Sequence, residues 1–140
     1  MDKRFWISGV VMTIAAALLG FVVHGHLLAN DYGTLVGTVM RSPEEANGLM
    51  QWMLLADVCI GFAMTWIYRQ GISSGKSTWG QGLRFGLAVA LLTVIPQFLI
   101  YYVVTRMPAA LVHKQLIFDT VRMVLLGVLV AYLNPRPANS

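Results

Sequence analysis

The chain has 140 residues, of which 57% are hydrophobic and only 11% charged, a balance that excludes an ordinary soluble domain and makes the lipid bilayer its solvent. The formal net charge of +4 is scattered at the ends of apolar stretches and forms no patch, which argues against a nucleic-acid-binding face. A single cysteine, Cys59, excludes disulfides and multi-thiolate metal sites within one chain.

Four stretches, Phe5 to Leu28, Leu49 to Tyr68, Gly82 to Val104 and Val112 to Leu133, reach the roughly 20 residues needed to cross about 30 Å of hydrocarbon. With their flanks they predict an all-α membrane protein, four transmembrane helices over about 5–28, 43–70, 78–105 and 108–133 in an antiparallel bundle, as one domain over 1–140. The opening Met1-Asp2-Lys3-Arg4 resembles a signal peptide. Its apolar run exceeds the usual ~7–15 residues and no small-x-small cleavage site follows, so the segment reads as a retained first helix.

In the first helix Gly9, Thr13, Ala16, Gly20 and His24 fall on one narrow stripe at about 100° per residue, and small residues there let a second backbone approach. His26 lies on the opposite side, so the two histidines are not one ligand pair. The segment 29–41, with Asn30-Asp31-Tyr32-Gly33 and a Gly-broken apolar run, is too short to span and is expected to lie over the bundle mouth. Ser42-Pro43-Glu44-Glu45 is a helix start: Ser42 caps, Pro43 suits the first turn and Glu45 completes a capping box. The second helix carries Asp57, Gly61, Thr65 and Tyr68 on one face.

Residues 71–76 read as a flexible turn, with Ser77 capping the third helix. Gly75-Lys76-Ser77 lacks the earlier glycine and the preceding strand of a phosphate-binding loop. The third helix sets Gly82, Gly86, Ala90, Thr93, Gln97 and Tyr101 on one stripe, with a kink expected at Pro96. Arg106-Met107-Pro108 forms a tight turn into the fourth helix, and Asn134-Pro135 ends it, leaving a tail expected to be disordered. The helix pair 1–2 loosely echoes the pair 3–4, each joining a small-residue helix to one that carries an aspartate.

A cytoplasmic N-terminus puts Lys3, Arg4, Arg69, Lys76, Arg84 and Arg136 on the inside and only Arg41, Arg106 and Lys114 outside, so both termini are expected in the cytoplasm. Aromatic residues agree, with Trp6, Trp66, Tyr68, Trp79 and Tyr132 at one interface and Tyr32, Trp52, Tyr101 and Tyr102 at the other.

Asp119 and Arg122 organise the rest. Three residues apart on a helix, they share a face, and an unpaired charge at that depth costs about 2.5–3.5 kcal/mol even on lenient scales, so the pair must face a protein interior or a wet cavity. The packing faces of the other helices bring His24, Asp57, Gln97 with Tyr101, and Gln115 to the same outer half. This constellation reads as an outward-facing pocket for a small ligand, ion or lipid head group, or as a proton relay. The alternative is a purely structural ion network in an accessory or scaffold subunit of a larger membrane complex, possibly a redox one. No catalytic residues are assigned, and the chain reads as a non-enzyme. A His24, Asp57 and Asp119 metal site would have Arg122 competing for its carboxylates, and haem between His24 and His113 would need an interfacial ligand; no cofactor and no metal is the expected state. The expected partners are membrane lipids and a second copy or another membrane protein, with no nucleic acid.

Through its topology and phrases such as Phe21-Val22-Val23-His24-Gly25 and Leu83-Arg84-Phe85-Gly86-Leu87, the chain resembles the small four-helix bacterial inner-membrane proteins of unassigned function. That resemblance implies a bundle in the bacterial inner membrane and carries over no site residue.

Overall fold

The computed structural model describes residues 2–72 and 76–135; the turn expected at 71–76 and the tail expected after Pro135 fall partly or wholly outside these residues. The elements are α1 (Lys3–Gly20), continued by a π-helical segment (Phe21–Leu27), then α2 (Ala29–Gly33), α3 (Pro43–Asn47), α4 (Met50–Gln70), α5 (Thr78–Leu92), α6 (Val94–Val104) and α7 (Ala109–Leu133). Four helical stretches, Lys3–Leu27, Met50–Gln70, Thr78–Val104 and Ala109–Leu133, are long and apolar enough to span a bilayer. The chain is a multi-pass membrane protein built as a four-helix bundle.

It is assembled from two antiparallel hairpins. In the first, α1 packs along α4, and in the second α5 packs along α7; α1 and α7 join the two. Small residues set both seams, because helices in lipid associate through close packing and not through a hydrophobic effect. A Cβ added at Gly86 would lie 2.6 Å from the Val124 Cα, and one at Gly127 would lie 2.5 Å from the Gly86 Cα. One at Gly61 would lie 2.5 Å from the Thr13 backbone nitrogen. These glycines fit because backbone occupies the space of a side chain.

Three expected helices depart from a regular α-helix, two of them at residues whose chemistry accounts for the break. The helix predicted over 43–70 starts at the capping box, where Ser42 Oγ accepts from the Glu45 N–H and Glu45 reaches back to the Ser42 N–H. It breaks after Asn47-Gly48, two poor helix formers, and restarts at Met50. In the helix predicted over 78–105 the discontinuity lies at Thr93 and not at Pro96 itself. Proline has no N–H for the carbonyl four residues earlier and its ring crowds that carbonyl, so Pro96 acts on Leu92, and the break follows at Thr93 (φ −113°, ψ −66°). The first helix widens into a π-turn closed by the Leu28 N–H to the Val23 carbonyl at 2.9 Å.

The central core joins Met12, Ala16, Met64, Ala90, Met123 and Leu126. A second apolar cluster of Val23, Leu28, Leu35 and Leu111 seats the 29–41 segment over the end of α1 and α7, as expected of a loop lying over the mouth. Within it Gly37 takes φ +80° at a turn. The opposite end holds a buried polar chain that the sequence did not announce. Asn134 Nδ2 donates to Ser8 Oγ (2.7 Å) and to the Val130 carbonyl (3.0 Å), Thr65 Oγ1 donates to the Gly61 carbonyl (2.8 Å), and Ser8 and Thr65 are 3.4 Å apart. With the Thr65 proton committed to Gly61, Ser8 is the donor between the two. Beside it Arg69 grips Asp2 in two parallel bonds of 2.7 and 2.9 Å, and this guanidinium holds the Asp2 carboxyl well below the usual range.

Candidate functional site

The fourth spanning helix, α7, supplies the floor of the site. Gln115, Asp119 and Arg122 rise on one face of it, as spacings of four and three residues require, and Gln115 and Asp119 are only 2% and 3% exposed. Arg122 reaches two acids: its Nη1 lies 3.5 Å from Asp119 Oδ1, and its Nη2 donates to Asp57 Oδ1 of α4 at 3.3 Å. Nη2 also donates to the Ala16 carbonyl of α1 at 2.8 Å. Gly20 makes room for this arrangement, since a Cβ there would sit 2.9 Å from Arg122 Nη2. One guanidinium thus ties α1, α4 and α7 together.

His24 completes the cluster from the π-turn. Its Nε2 lies 3.1 Å from Asp119 Oδ1 and its Nδ1 2.7 Å from the Tyr32 hydroxyl, which accepts from Gln115 Nε2 at 3.0 Å. The pattern that satisfies most groups runs in one direction: Gln115 N–H to Tyr32 oxygen, Tyr32 O–H to His24 Nδ1, and His24 Nε2–H to Asp119. Burial pushes the Tyr32 hydroxyl above its ordinary pKa, so it stays a neutral donor. Asp31, next to Tyr32, pairs with Lys114 at 2.9 Å from both carboxylate oxygens, which pins α2 to α7. The π-turn matters here because its extra residue per turn rotates the rest of the helix about its axis; such turns recur at functional sites.

The structure therefore brings together His24, Asp57, Gln115, Asp119 and Arg122. Gln97 stands apart on α6, lining a cavity that Asp119 and Arg122 also line. Tyr101 joins neither: its side chain is 46% exposed and lies outside the cavity wall. The stripe expected to run from Gly82 to Tyr101 is buried through Ala90 and opens from Thr93 onward, because the break at Thr93 ends the regular register on which that stripe depended. Tyr32 belongs to the cluster although its sequence context marked it only as an interfacial aromatic.

The cavity has a volume of about 560 Å³. One wall is α4, through Ala56, Cys59, Ile60, Ala63, Met64 and Ile67, and the other is α5 and α6, through Val89, Leu92, Val94 and Phe98. Tyr68 of α4 and Phe85 of α5 meet edge to face, with ring centroids 5.4 Å apart. Cys59, Ala63, Leu92, Thr93 and Gln97 are all exposed, so the cavity is a cleft open along the side of the bundle, with apolar walls and a charged floor.

Among the described residues, four buried side-chain polar atoms have no hydrogen-bond partner: Gln115 Oε1, Asp119 Oδ2, Arg122 Nε and Asn134 Oδ1. Three of the four belong to this one cluster. Comparisons with protein-family models, curated proteins and solved structures return no match.

Proposed function

We propose that this membrane protein binds a small amphiphile in the cleft between α4 and α6, its polar head on the Asp119–Arg122 floor and its apolar body between the walls. The observation that carries the reading is that Asp119 and Arg122, each with a buried polar atom left without a partner, both line the cleft. A buried polar group without a hydrogen bond costs about 1–3 kcal/mol, so two such groups beside an open cavity suit a ligand whose head compensates them by charge or by hydrogen bonding. The apolar walls fit a ligand that arrives from the bilayer.

In this reading the cleft mouth lies in the outer half of the membrane, with both termini in the cytoplasm of a bacterial cell, as the distribution of basic residues favours. The cluster also braces the bundle, and the two roles are compatible: Arg122 ties three helices through Asp57 and the Ala16 carbonyl, while Asp119 keeps one oxygen unengaged.

Three probes of similar shape test the reading: tetraphenylphosphonium, triphenylphosphine oxide and tetraphenylborate, titrated during thermal unfolding in mild detergent. At least one should raise the midpoint in a concentration-dependent way, as binding to the folded state requires. The same probe should fail with Ala63→Trp, which fills the cleft. No shift with any of the three, or an equal shift in Ala63→Trp, would overturn it.

A further inference from the structure

The charges around the cleft do not balance. From α7 come Asp119 and Arg122, from α4 Asp57, and from the π-turn after α1 His24, which is neutral when its Nδ1 accepts from Tyr32. The other groups facing them add no charge to the count: Tyr32 of α2 is neutral, Asp31 is cancelled by Lys114, the α4 wall carries one free thiol, Cys59, and the wall from α5 and α6 offers only uncharged Thr93 and Gln97. Two carboxylates against one guanidinium leave one negative charge in a region meant for hydrocarbon, where an uncompensated charge is expensive.

Arg122 cannot make up the difference, because its Nη atoms are shared between both acids and the Ala16 carbonyl. The acceptor left over is Asp119 Oδ2, buried and unpartnered on a residue that lines the cavity. The missing charge is a single positive one. A proton on the His24–Asp119 pair supplies it when the cleft holds no cation, and a cation in the cleft supplies it otherwise.

Resting on the reading of the cleft as a ligand site, we propose that its ligand is a lipophilic monocation, an ammonium- or phosphonium-type centre on an apolar body, taken up in exchange for one proton. The exchange is balanced: protonated protein and free cation give cation-bound protein and one released proton. That proton leaves from Asp119, since His24 keeps its Nε2–H toward Asp119 Oδ1 and its Nδ1 toward the Tyr32 hydroxyl in both states. Cation and proton thus compete for one charge.

Calorimetric titration of the full chain in mild detergent tests this, run in buffers of different ionisation enthalpy so that released protons are counted. Tetraphenylphosphonium should bind with release of about one proton, and its apparent affinity should rise about tenfold per pH unit over the range where the cluster is protonated. Tetraphenylborate should bind at least tenfold more weakly. Asp119→Asn and Asp57→Asn each remove the surplus charge, so both should weaken the cation at least tenfold and abolish proton release. Should neither variant fold, the proton count on the unaltered chain decides alone. Cation binding without proton release and without pH dependence, or preference for the borate, would overturn the proposal. If the oxide or the borate binds while the phosphonium does not, the cleft stands and the charge assignment falls; if none of the three binds, the cleft reading falls with it.

Discussion

Arg122 is the residue on which most of the interior depends, since its loss leaves Asp57 without its charged partner, leaves Asp119 with His24 alone and removes the tie to the α1 backbone. Removing one member of a buried charged set costs about 3–5 kcal/mol because the remaining charge is left uncompensated. Arg122→Met should therefore be the most destabilising single change in the cluster. Combining it with Asp119→Leu should recover part of the loss, because a matched apolar pair suits the bundle. Thermal unfolding of both singles and the double closes the cycle; strictly additive losses would show that the two residues do not interact.

Tyr32→Phe tests the loop side of the same cluster. It deletes one hydroxyl, leaves Gln115 Nε2 buried without its acceptor, and should cost about 1–3 kcal/mol. At the other end of the molecule Asp2 offers a pH signature. Its folded pKa is depressed by Arg69, so its stabilising contribution is complete above the ordinary carboxylate value of 3.8 and is lost as pH falls toward the depressed one. The stability gap between the unaltered chain and Asp2→Asn should accordingly be present at pH 7 and narrow below pH ~4. These residue-level contacts differ in how visible they were. The Asp119–Arg122 pair follows from two charges three residues apart in an apolar run, whereas Tyr32 and Asn134 sit in the short helix α2 and at the end of α7, where no extended periodicity fixes the direction of a side chain.

Among the elements, the two hairpin seams follow from spacing: Gly82, Gly86 and Gly127 recur at four-residue intervals or meet across the seam, and regular helices keep such residues aligned. Gly86→Ala should disrupt the second hairpin, since the new methyl meets the Val124 Cα and the Met123 carbonyl, both at 2.6 Å. Overpacking of this kind costs about 1–3 kcal/mol, read as a lower unfolding midpoint, and Ala88→Leu on the exposed side of α5 serves as a control that should change little. Where the backbone departs from the regular helix, sequence periodicity loses its footing. A stripe drawn at 100° per residue carries Gly82 through Ala90 correctly and then misplaces Tyr101, because the Pro96-induced break at Thr93 resets the register. The π-turn of Phe21–Leu27 likewise has no proline or other marker to reveal it, although His24 lies within it.

For the whole molecule, four apolar stretches of sufficient length were enough to give the architecture. The order of helices around the bundle was not legible, since short loops allow several arrangements of four similar cylinders. The cleft arises from that order: α4 leans on α1 and α5 leans on α7, which leaves α4 and α6 apart, with the charged face of α7 between them. Orientation in the membrane is tested by cysteines at Thr38 and Lys76 in a Cys59→Ala background. Only the former should react with a membrane-impermeant maleimide added from outside, and equal labelling of both would refute the proposed topology.

The native Cys59 gives the most direct test of the cleft itself, because it is the single thiol of the chain and stands on the cavity wall. In native membranes, the rate of its alkylation by N-ethylmaleimide is measured with and without saturating tetraphenylphosphonium, beside a Val10→Cys, Cys59→Ala control whose thiol lies on the exposed side of α1. A cleft that holds a lipophilic cation predicts at least fivefold slowing at Cys59 and none at position 10. Equal rates at Cys59 with and without the cation, or equal slowing at both positions, would contradict it.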